Sequence, residues 1–340
     1  MSGKRGAHVA TLSDVAQAAG VSIATASKAL NGRDDVARAT RLRVQRAAEE
    51  LRFVPNPLAR GLLAGRTGTV GLLTNDLEGR FVLPILAGAE DALGAGSVNV
   101  FLCDAQGDAV REQHHLRALI SRRVDGIIVV GSRTDARRSL GQDLPVPIIY
   151  VYSPSDDDRD LSLTPDNRAG GQLAMEHLIS CGRRRIAYIA GDPTYNAATD
   201  RWRGAQDALR AAELEPVGDP MFSEWSEHWG RDAAATLLER SPDIDAMFCA
   251  SDQLARGAID TARELGRRVP EDLAIIGYDN WLLLAANSRP GLTSIDANLG
   301  ALGKQAAERI FQAIDGEEIP RGEHHLPVRL VIRGSTIARR

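Results

Sequence analysis

From Thr69 onward, short apolar runs alternate with stretches of helical periodicity, and this rhythm leaves few folds open to the chain. The runs at 70–73, 98–103, 125–130, 148–152, 186–190, 246–250 and 273–278 are nearly all apolar, as strands covered on both faces must be. Between them, residues 86–93, 112–121, 170–180 and 255–265 read as helices. Such β-α alternation builds parallel sheets with helices on both faces. Near residues 164–166 the rhythm restarts, which predicts two similar lobes in tandem. No G-x-G-x-x-G opens a helix after a strand and no G-x-x-x-x-G-K-[ST] occurs, so neither dinucleotide nor phosphate-loop chemistry is signalled.

The first 66 residues follow a different pattern. Thr11 can cap a helix, with Asp14 three positions on able to reach back and to favour the positive end of the helix dipole. Leu12, Val15, Ala16 and Ala19 recur at helical spacing, and Gly20 stands where a left-handed turn residue is needed. Ser22 caps a second helix from Ile23 to about Leu30, with Ala26, Ala29 and Leu30 inward and Ile23, Ala24, Thr25, Ser27 and Lys28 outward. A short helix, a glycine turn and a second helix with small and polar outward residues is a helix-turn-helix pattern.

Charge divides the chain at the same place. The first 66 residues carry 11 Lys/Arg against 5 Asp/Glu, whereas the remainder carries 30 against 40. A basic head on an acidic body is the electrostatic footprint of a head that meets phosphates. No run of about 18 apolar residues suggests a membrane span. The start has no apolar segment of signal-peptide type. The three cysteines, Cys103, Cys181 and Cys249, are widely spaced with no C-x-x-C, which suits a cytoplasmic chain with ordinary thiols. An enzyme would need a nucleophile–base pair, a metal cluster or a phosphate loop, and the sequence offers none; the adjacent pairs His114-His115 and His324-His325 are poorly placed to share one ion. No cofactor or metal site is expected.

The stretch TLSDVAQAAGVSIATASKALNG closely resembles the head of the lactose-repressor (LacI/GalR) family, whose pattern is near T-x-x-D-V-A-x-x-A-G-V-S-x-x-T-V-S-R-x-L-N-G. The likeness continues through Thr40-Arg41 and Arg43-Val44 into Ala47, Glu50 and Leu51, which look like that head's third helix. It implies that Ile23 and Ala24 face base edges in the major groove and that Lys28 reaches a guanine or a phosphate. Lysine stands where the family often has arginine and lacks its bidentate fork. Ser22, Thr25, Ser27 and Asn31 would hold phosphates, and Thr11 and Asn56, at helix starts, belong to the same DNA-facing set. Residues 53–63 (FVPNPLARGLL) resemble the family's hinge helix, with Leu62 as a minor-groove wedge beside Ala59. Gly61 departs from that pattern, and glycine inside a helix costs about 0.5–1 kcal/mol relative to alanine.

The rest resembles the family's periplasmic-binding-protein-like core through pieces such as VDGIIVVG, DNRAGGQLAMEHLISCGRRRIAYIAG, RWRGAQDAL and CASDQLARGAIDTARELGRRVPEDLAIIGYDN. The fold class expected is therefore a small all-α helix-turn-helix head plus an α/β core of two doubly wound parallel-sheet lobes. The boundaries are 1–55 for the head, 56–68 for the hinge and 69–340 for the core. Lobe one takes 69–163 and about 296–322, and lobe two takes 164–295 and about 323–340. In that fold the chain crosses between lobes three times, with 299–315 returning to the first lobe and a last strand around 326–332 ending in the second.

Ligands of open α/β sheets bind outside the carboxyl ends of the strands, so polar residues just after strands are the candidates. These are Asp76, Phe81, Asp166, Arg201, Trp225, Ser251 and Asp279; Arg201 matches the family's ligand-contacting arginine. Carboxylates and a guanidinium fork suit vicinal hydroxyls, and Trp225 could stack on an apolar sugar face. Each candidate also has a structural alternative: an ion pair for Arg201 and Asp279, packing or capping for Asp76 and Phe81. Asp252 could cap the following helix. Two departures stand out, Gly79-Arg80-Phe81-Val82 in place of Asn-Pro-Phe-Phe, which puts an arginine near the cleft mouth, and Ala297 where many relatives carry a polar cleft residue. The resemblance implies a dimeric repressor, its dimer contact including the helix around 83–93, that binds a pseudo-palindromic DNA operator and is released by a small molecule of carbohydrate type. A co-repressor-dependent repressor or an activator fits the same sequence, and a solute-binding protein shares the core alone. The chain's last residues carry no leucine heptad of the kind that makes some relatives tetramers.

Overall fold

The structure, a computed structural model, describes residues 10–30, 35–51, 53, 66–77, 79–93 and 98–337. The chain divides into two units, Met1–Thr67 and Gly68–Arg340. In the first unit, α1 (Leu12–Ala19), α2 (Ile23–Leu30) and α3 (Arg38–Glu50) surround one small core. The capping box forms as the sequence predicts: Asp14 N–H donates to Thr11 Oγ1, and Thr11 N–H donates to Asp14 Oδ2 at 2.8 Å. Gly20 ends α1 in the left-handed region, at φ +63°, and Ser22 Oγ accepts from Thr25 N–H at 3.1 Å to start α2. Val15, Ala16, Ala26, Ala29, Val44, Ala47 and Ala48 fill the core. These are small side chains, so the three helices approach closely and α2 keeps one whole face outward. Asn31, Asn56, Ala59, Gly61 and Leu62, and so most of the expected hinge, lie outside the described residues.

The second unit holds two six-stranded sheets. The first comprises β1 (Thr69–Thr74), β2 (Asn99–Asp104), β3 (Gly126–Val130), β4 (Ile148–Val151), β5 (Leu161–Pro165) and β11 (Gly322–Leu326), in the order β2-β1-β3-β4-β5-β11 and parallel throughout. The second comprises β6 (Ile186–Ala190), β7 (Met221–Phe222), β8 (Ala246–Cys249), β9 (Ala274–Tyr278), β10 (Thr293–Asp296) and β12 (Arg329–Val331), in the order β7-β6-β8-β9-β10-β12. Only β12 runs antiparallel, against β10. Helices flank both sheets: α4 (Val82–Leu93), α5 (Ala109–Ser121) and α11 (Leu299–Ile314) around the first, α6 (Asn167–Ser180), α7 (Asn196–Ala211), α8 (Glu227–Arg240) and α9 (Asp252–Glu264) around the second. A short α10 (Leu282–Ala285) follows β9.

The central strands are buried along almost their whole length, with Leu72, Ile128, Ile149 and Leu163 in one core and Ile186, Phe248, Ile276 and Ile295 in another. Each such side chain contributes roughly 1.5–3 kcal/mol on leaving water. The helix 299–314 returns to the first sheet, where it packs on α4 with Gly303 against the backbone of Ile85.

Two lobe boundaries differ from the expectation. Strand β5 runs through Pro165, and β11 pairs with it from Gly322↔Leu161 to Leu326↔Pro165. The last crossing therefore falls at residues 327–328, not at 323. The reason is that GEHHL is an edge strand with three exposed residues, so it lacks the apolar run by which the other strands are recognised, while β5 offers it a free row of backbone donors and acceptors.

Candidate functional site

Two surfaces carry the predicted residues. On α2, Ile23 is 53 % exposed and Ala24 and Lys28 are also exposed, while Ala26 and Ala29 are buried beneath them. Thr25 and Ser27 are half-buried, and the Thr25 hydroxyl lies 2.8 Å from Ser22 Oγ. Lys28 Nζ donates to Asp35 Oδ2 at 2.6 Å, a pair in which both side chains are more than half exposed. Thr11 spends its hydroxyl on Asp14. The outward face is thus apolar at its first turn and basic one turn on, with polar hydroxyls along its flank.

The second surface lies where the loops after β1, β3 and β4 of one lobe meet the segments after β6, β7 and β9 of the other. A chamber of about 130 Å³ there has aromatic walls, from Phe81, Tyr152, Tyr195 and Trp225, and four charged side chains, Arg80, Arg133, Arg201 and Asp279. Phe81 stacks on Tyr152, their centroids 4.6 Å apart.

Helix α7 supplies Arg201 at its close crossing with α6. A Cβ built on Gly171 would come within 1.9 Å of Arg201 O, and one on Gly204 within 1.9 Å of Arg168 O. Only glycine permits that approach, and it sets Arg201 deep between the helices at 3 % exposure. Its Nε donates to Asn167 Oδ1 at 2.9 Å and its Nη1 to Ala250 O at 2.6 Å, and the guanidinium lies 3.6 Å from the centre of the Tyr278 ring. Burial works against its charge, but the neighbouring Asp279 carboxylate holds its pKa above the ordinary value.

Asp279 follows β9 at φ +96°, an unfavourable region for a residue with a Cβ, and one that clusters at functional sites. Its N–H donates to Ile295 O at 2.8 Å, which fixes the turn. Arg80, from the first lobe, donates to Asp279 Oδ2 at 2.5 Å and to Gln253 Oε1 at 2.7 Å, both in the second lobe. Arg133 likewise crosses, its guanidinium 3.6 Å from the centre of the Tyr195 ring. Arg80 Nε, Trp225 Nε1 and Asp279 Oδ1 are buried and make no hydrogen bond to the protein. Three polar atoms without a hydrogen bond, gathered on one chamber, are capacity for a ligand's own donors and acceptors.

Behind the chamber Asp252 is almost wholly buried. It accepts from Trp281 N–H and from the Ser294 hydroxyl, each at 2.6 Å. Burial, and then the charge of Asp279, push its pKa up to about 8, so at neutral pH it is mostly protonated. Burial also raises the Tyr152 and Tyr278 hydroxyls, which stay neutral. A wider cavity of about 460 Å³ shares Arg80, Phe81 and Asp279 with the chamber; its further walls include the apolar Trp281, Leu282 and Leu283 and the charged Asp296 and Arg329. Arg80 stands between the two.

Of the seven predicted cleft residues, Phe81, Arg201, Trp225 and Asp279 line the chamber. Asp76, Asp166 and Ser251 line neither cavity and are used locally. Asp76 Oδ1 accepts from Gly79 N–H at 2.7 Å, Asp166 caps α6 through Ala169 N–H, and Ser251 caps α9 through Leu254 N–H. Ala297 is 1 % exposed and packs in the second-lobe core. Arg133, Tyr152, Tyr195 and Gln253 went unpredicted, although Arg133 and Tyr152 each follow a strand end. Among the described residues no three His, Cys, Asp or Glu side chains group as a metal site, and no helix is long and apolar enough to cross a membrane.

Comparison with known proteins places both surfaces in one lineage. Residues 11–56 match the family described as bacterial regulatory proteins, lacI family, and residues 175–336 match a periplasmic binding protein-like domain. The chain is 34 % identical to the HTH-type transcriptional regulator CelR of Thermobifida fusca, over 97 % of each chain. It is 33 % identical to the HTH-type transcriptional repressor PurR of Mannheimia succiniciproducens, over 96 % of this chain and 98 % of that one. Among solved structures, the lac repressor dimer bound to operator and the anti-inducer ONPF superposes with a TM-score of 0.77 at 28 % identity, covering 97 % of this chain and 99 % of that one. A CelR–cellobiose complex superposes with a TM-score of 0.64 at 32 % identity, covering 96 % and 99 %. With its head, its two-lobed core and nearly its whole length matched, the chain belongs to the lacI family of bacterial regulatory proteins.

Proposed function

We propose that the chain is a ligand-responsive transcription regulator of the cytoplasm, a dimeric repressor that binds a pseudo-palindromic operator and is released by a small carbohydrate-like molecule. The observation that carries this reading is the presence in one chain of the outward Ile23-Ala24-Lys28 face and of a chamber in which Arg201 and Asp279 meet. The relative solved with cellobiose supports the ligand class. Exposed apolar side chains on the first lobe, Leu83 at 58 %, Phe101 at 42 % and Val110 at 79 %, support self-association through that lobe. On α2, Ile23 and Ala24 meet base edges, Lys28 a guanine or phosphate, and Ser22, Thr25 and Ser27 phosphates. Asn31 and the hinge residues Asn56, Ala59 and Leu62 complete the DNA-facing set.

The two activities are coupled by population shift. Arg80 ties the first lobe to Gln253 and Asp279 of the second. A ligand that contacts these groups differently in two lobe arrangements shifts the balance between them, by as much as its affinity for the two differs. The test is selection of bound duplexes from a random pool by the full-length protein, then measurement of the selected duplex with and without sugars. An enriched inverted repeat whose binding weakens on adding a sugar is the expected result. A pool without any enriched duplex would overturn the reading, and tightening on ligand addition would make the effector a co-repressor.

A further inference from the structure

The chamber between the lobes holds more positive charge than its carboxylates balance. Among the described residues, Asp279 is the one carboxylate within ion-pair distance of either Arg80 or Arg201, and both share it. Arg80 takes Oδ2 at 2.5 Å, while Arg201 Nη2 comes no nearer to Oδ1 than 3.5 Å. The other partners of both guanidiniums are neutral: Gln253 for Arg80, Asn167 and the carbonyl of Ala250 for Arg201. Arg133 has its own partner in Asp135 at 3.2 Å. Asp252, the next carboxyl inward, spends both oxygens on Trp281 N–H and Ser294 and carries a proton at neutral pH. The buried Arg201 and the half-buried Arg80 therefore face one carboxylate, and Arg80 Nε still has a hydrogen to donate.

A buried charge without a counter-charge is costly, and guanidinium groups bind carboxylates and phosphates more strongly than they bind neutral acceptors. We infer that the effector of this protein is anionic, a sugar-sized molecule whose carboxylate or phosphate ester is received between Arg80 and Arg201. Its ring lies against Phe81 and Trp225, and its hydroxyls take Asp279 Oδ1, which accepts no hydrogen bond from the protein, and the Trp225 N–H. This assignment rests on the reading of the chamber as the effector site. The excess charge arises from Arg80, since without it Arg201 and Asp279 form a neutral pair suited to a neutral sugar.

The test uses the full-length protein and matched probes that differ in charge: glucose with glucuronate, galactose with galacturonate, and glucose with glucose 6-phosphate. Thermal shift and calorimetry compare the wild type with Arg80→Gln and Arg201→Lys. The expected result is that an acidic member binds at least about tenfold more tightly than its neutral counterpart, the size of one charge-assisted hydrogen bond, and that Arg80→Gln brings the pair to near parity. The uronates and the phosphate tell carboxylate from phosphate recognition. Neutral members that bind as well as the acids, an acid preference that survives Arg80→Gln, or no shift by any acid at millimolar concentration each overturn the inference. The wild-type comparison stands even should a variant fail to fold. A neutral sugar lost on Arg201→Lys would leave the chamber as effector site while removing the charge assignment; binding indifferent to Arg201→Lys would remove the chamber itself.

Discussion

Arg80 and Asp279, 199 residues apart in the chain, join the two lobes through a hydrogen bond of 2.5 Å from Nη2 to Oδ2. Their side chains are 19 % and 3 % exposed, so the pair is shielded from the screening that makes surface ion pairs weak. Removing one partner of such a pair costs more than the pair itself is worth, because it strands the other charge. Asp279→Ala strands two guanidiniums and is expected to destabilise the core by about 3 kcal/mol. Adding Arg80→Gln should restore roughly 1 kcal/mol by removing one of the stranded charges. All four tryptophans, Trp202, Trp225, Trp229 and Trp281, lie in the second unit, so urea unfolding followed by their fluorescence reads this unit. Strict additivity of the two substitutions would show that the side chains are not coupled.

Lys28 and Asp35 form a pair at 2.6 Å on the outward face of the head. Both side chains are more than half exposed, so Lys28→Ala should change stability by less than about 0.5 kcal/mol. Its effect on DNA should be larger, a loss of roughly 1–3 kcal/mol in affinity. If Lys28 contacts a phosphate, the loss is uniform across sequences and the salt slope falls by about one; if it reads a guanine, base preference relaxes at one position. Fluorescence anisotropy at several salt concentrations separates the two. Unchanged affinity at every salt concentration would place Lys28 outside the DNA interface.

The parts of this fold that were legible in the sequence are those whose burial is continuous. The run 186–190 is a strand over the same residues, because a central parallel strand covered on both faces has no polar position to blur it. Strand 322–326 was invisible for the opposite reason, being an edge whose three middle residues face solvent. In the cleft, Asp279 stands just after a strand, while Arg201, inside a helix, is pointed to by family likeness alone. A carboxylate or hydroxyl at a strand-to-helix junction is also the natural helix cap, and Asp166 and Ser251 are both used that way. Arg80 was seen only as a departure. Nothing local to it indicates that its guanidinium ends on residues more than 170 positions away.

Gly171 positions Arg201 by having no side chain. A Cβ there would meet Arg201 O at 1.9 Å, and the nearest atoms are backbone, which cannot rotate away. Gly171→Ala should therefore push α6 and α7 apart at a cost of about 1–3 kcal/mol and carry Arg201 off its contacts with Asn167 and Ala250. Ligand affinity should fall more than tenfold with the Arg201 side chain intact, while binding to DNA in the absence of ligand is kept. A control is Gly107→Ala, where φ is +71° and nothing lies within 4 Å; it should cost stability through backbone strain alone and leave ligand affinity unchanged. Equal effects of the two substitutions on ligand affinity would rule out the helix crossing as the cause.

Asp252 should make the core's stability depend on pH in an uncommon direction. Burial, followed by the charge of Asp279, pushes its pKa up to about 8 from an ordinary value of 3.8. Between those values the native protein keeps a proton that the unfolded chain has released, so stability falls as pH rises through the window and levels off above it. Asp252→Asn keeps the shape of the carboxyl and cannot ionise; its amide oxygen takes the hydrogen bond from Trp281 N–H, and its Nδ2 faces Ser294 Oγ and reverses the hydrogen bond that the Ser294 hydroxyl gives the aspartate. The variant should match the wild type near the acid end of the window and exceed it by a few kcal/mol above about pH 8. Every other titrating group is common to both proteins, so the difference between their urea midpoints, followed through tryptophan fluorescence, isolates this residue. A difference that stays constant from about pH 5 to pH 9 would mean that Asp252 has the same pKa folded and unfolded, and that its buried oxygens are held by hydrogen bonds to an ionised carboxylate instead.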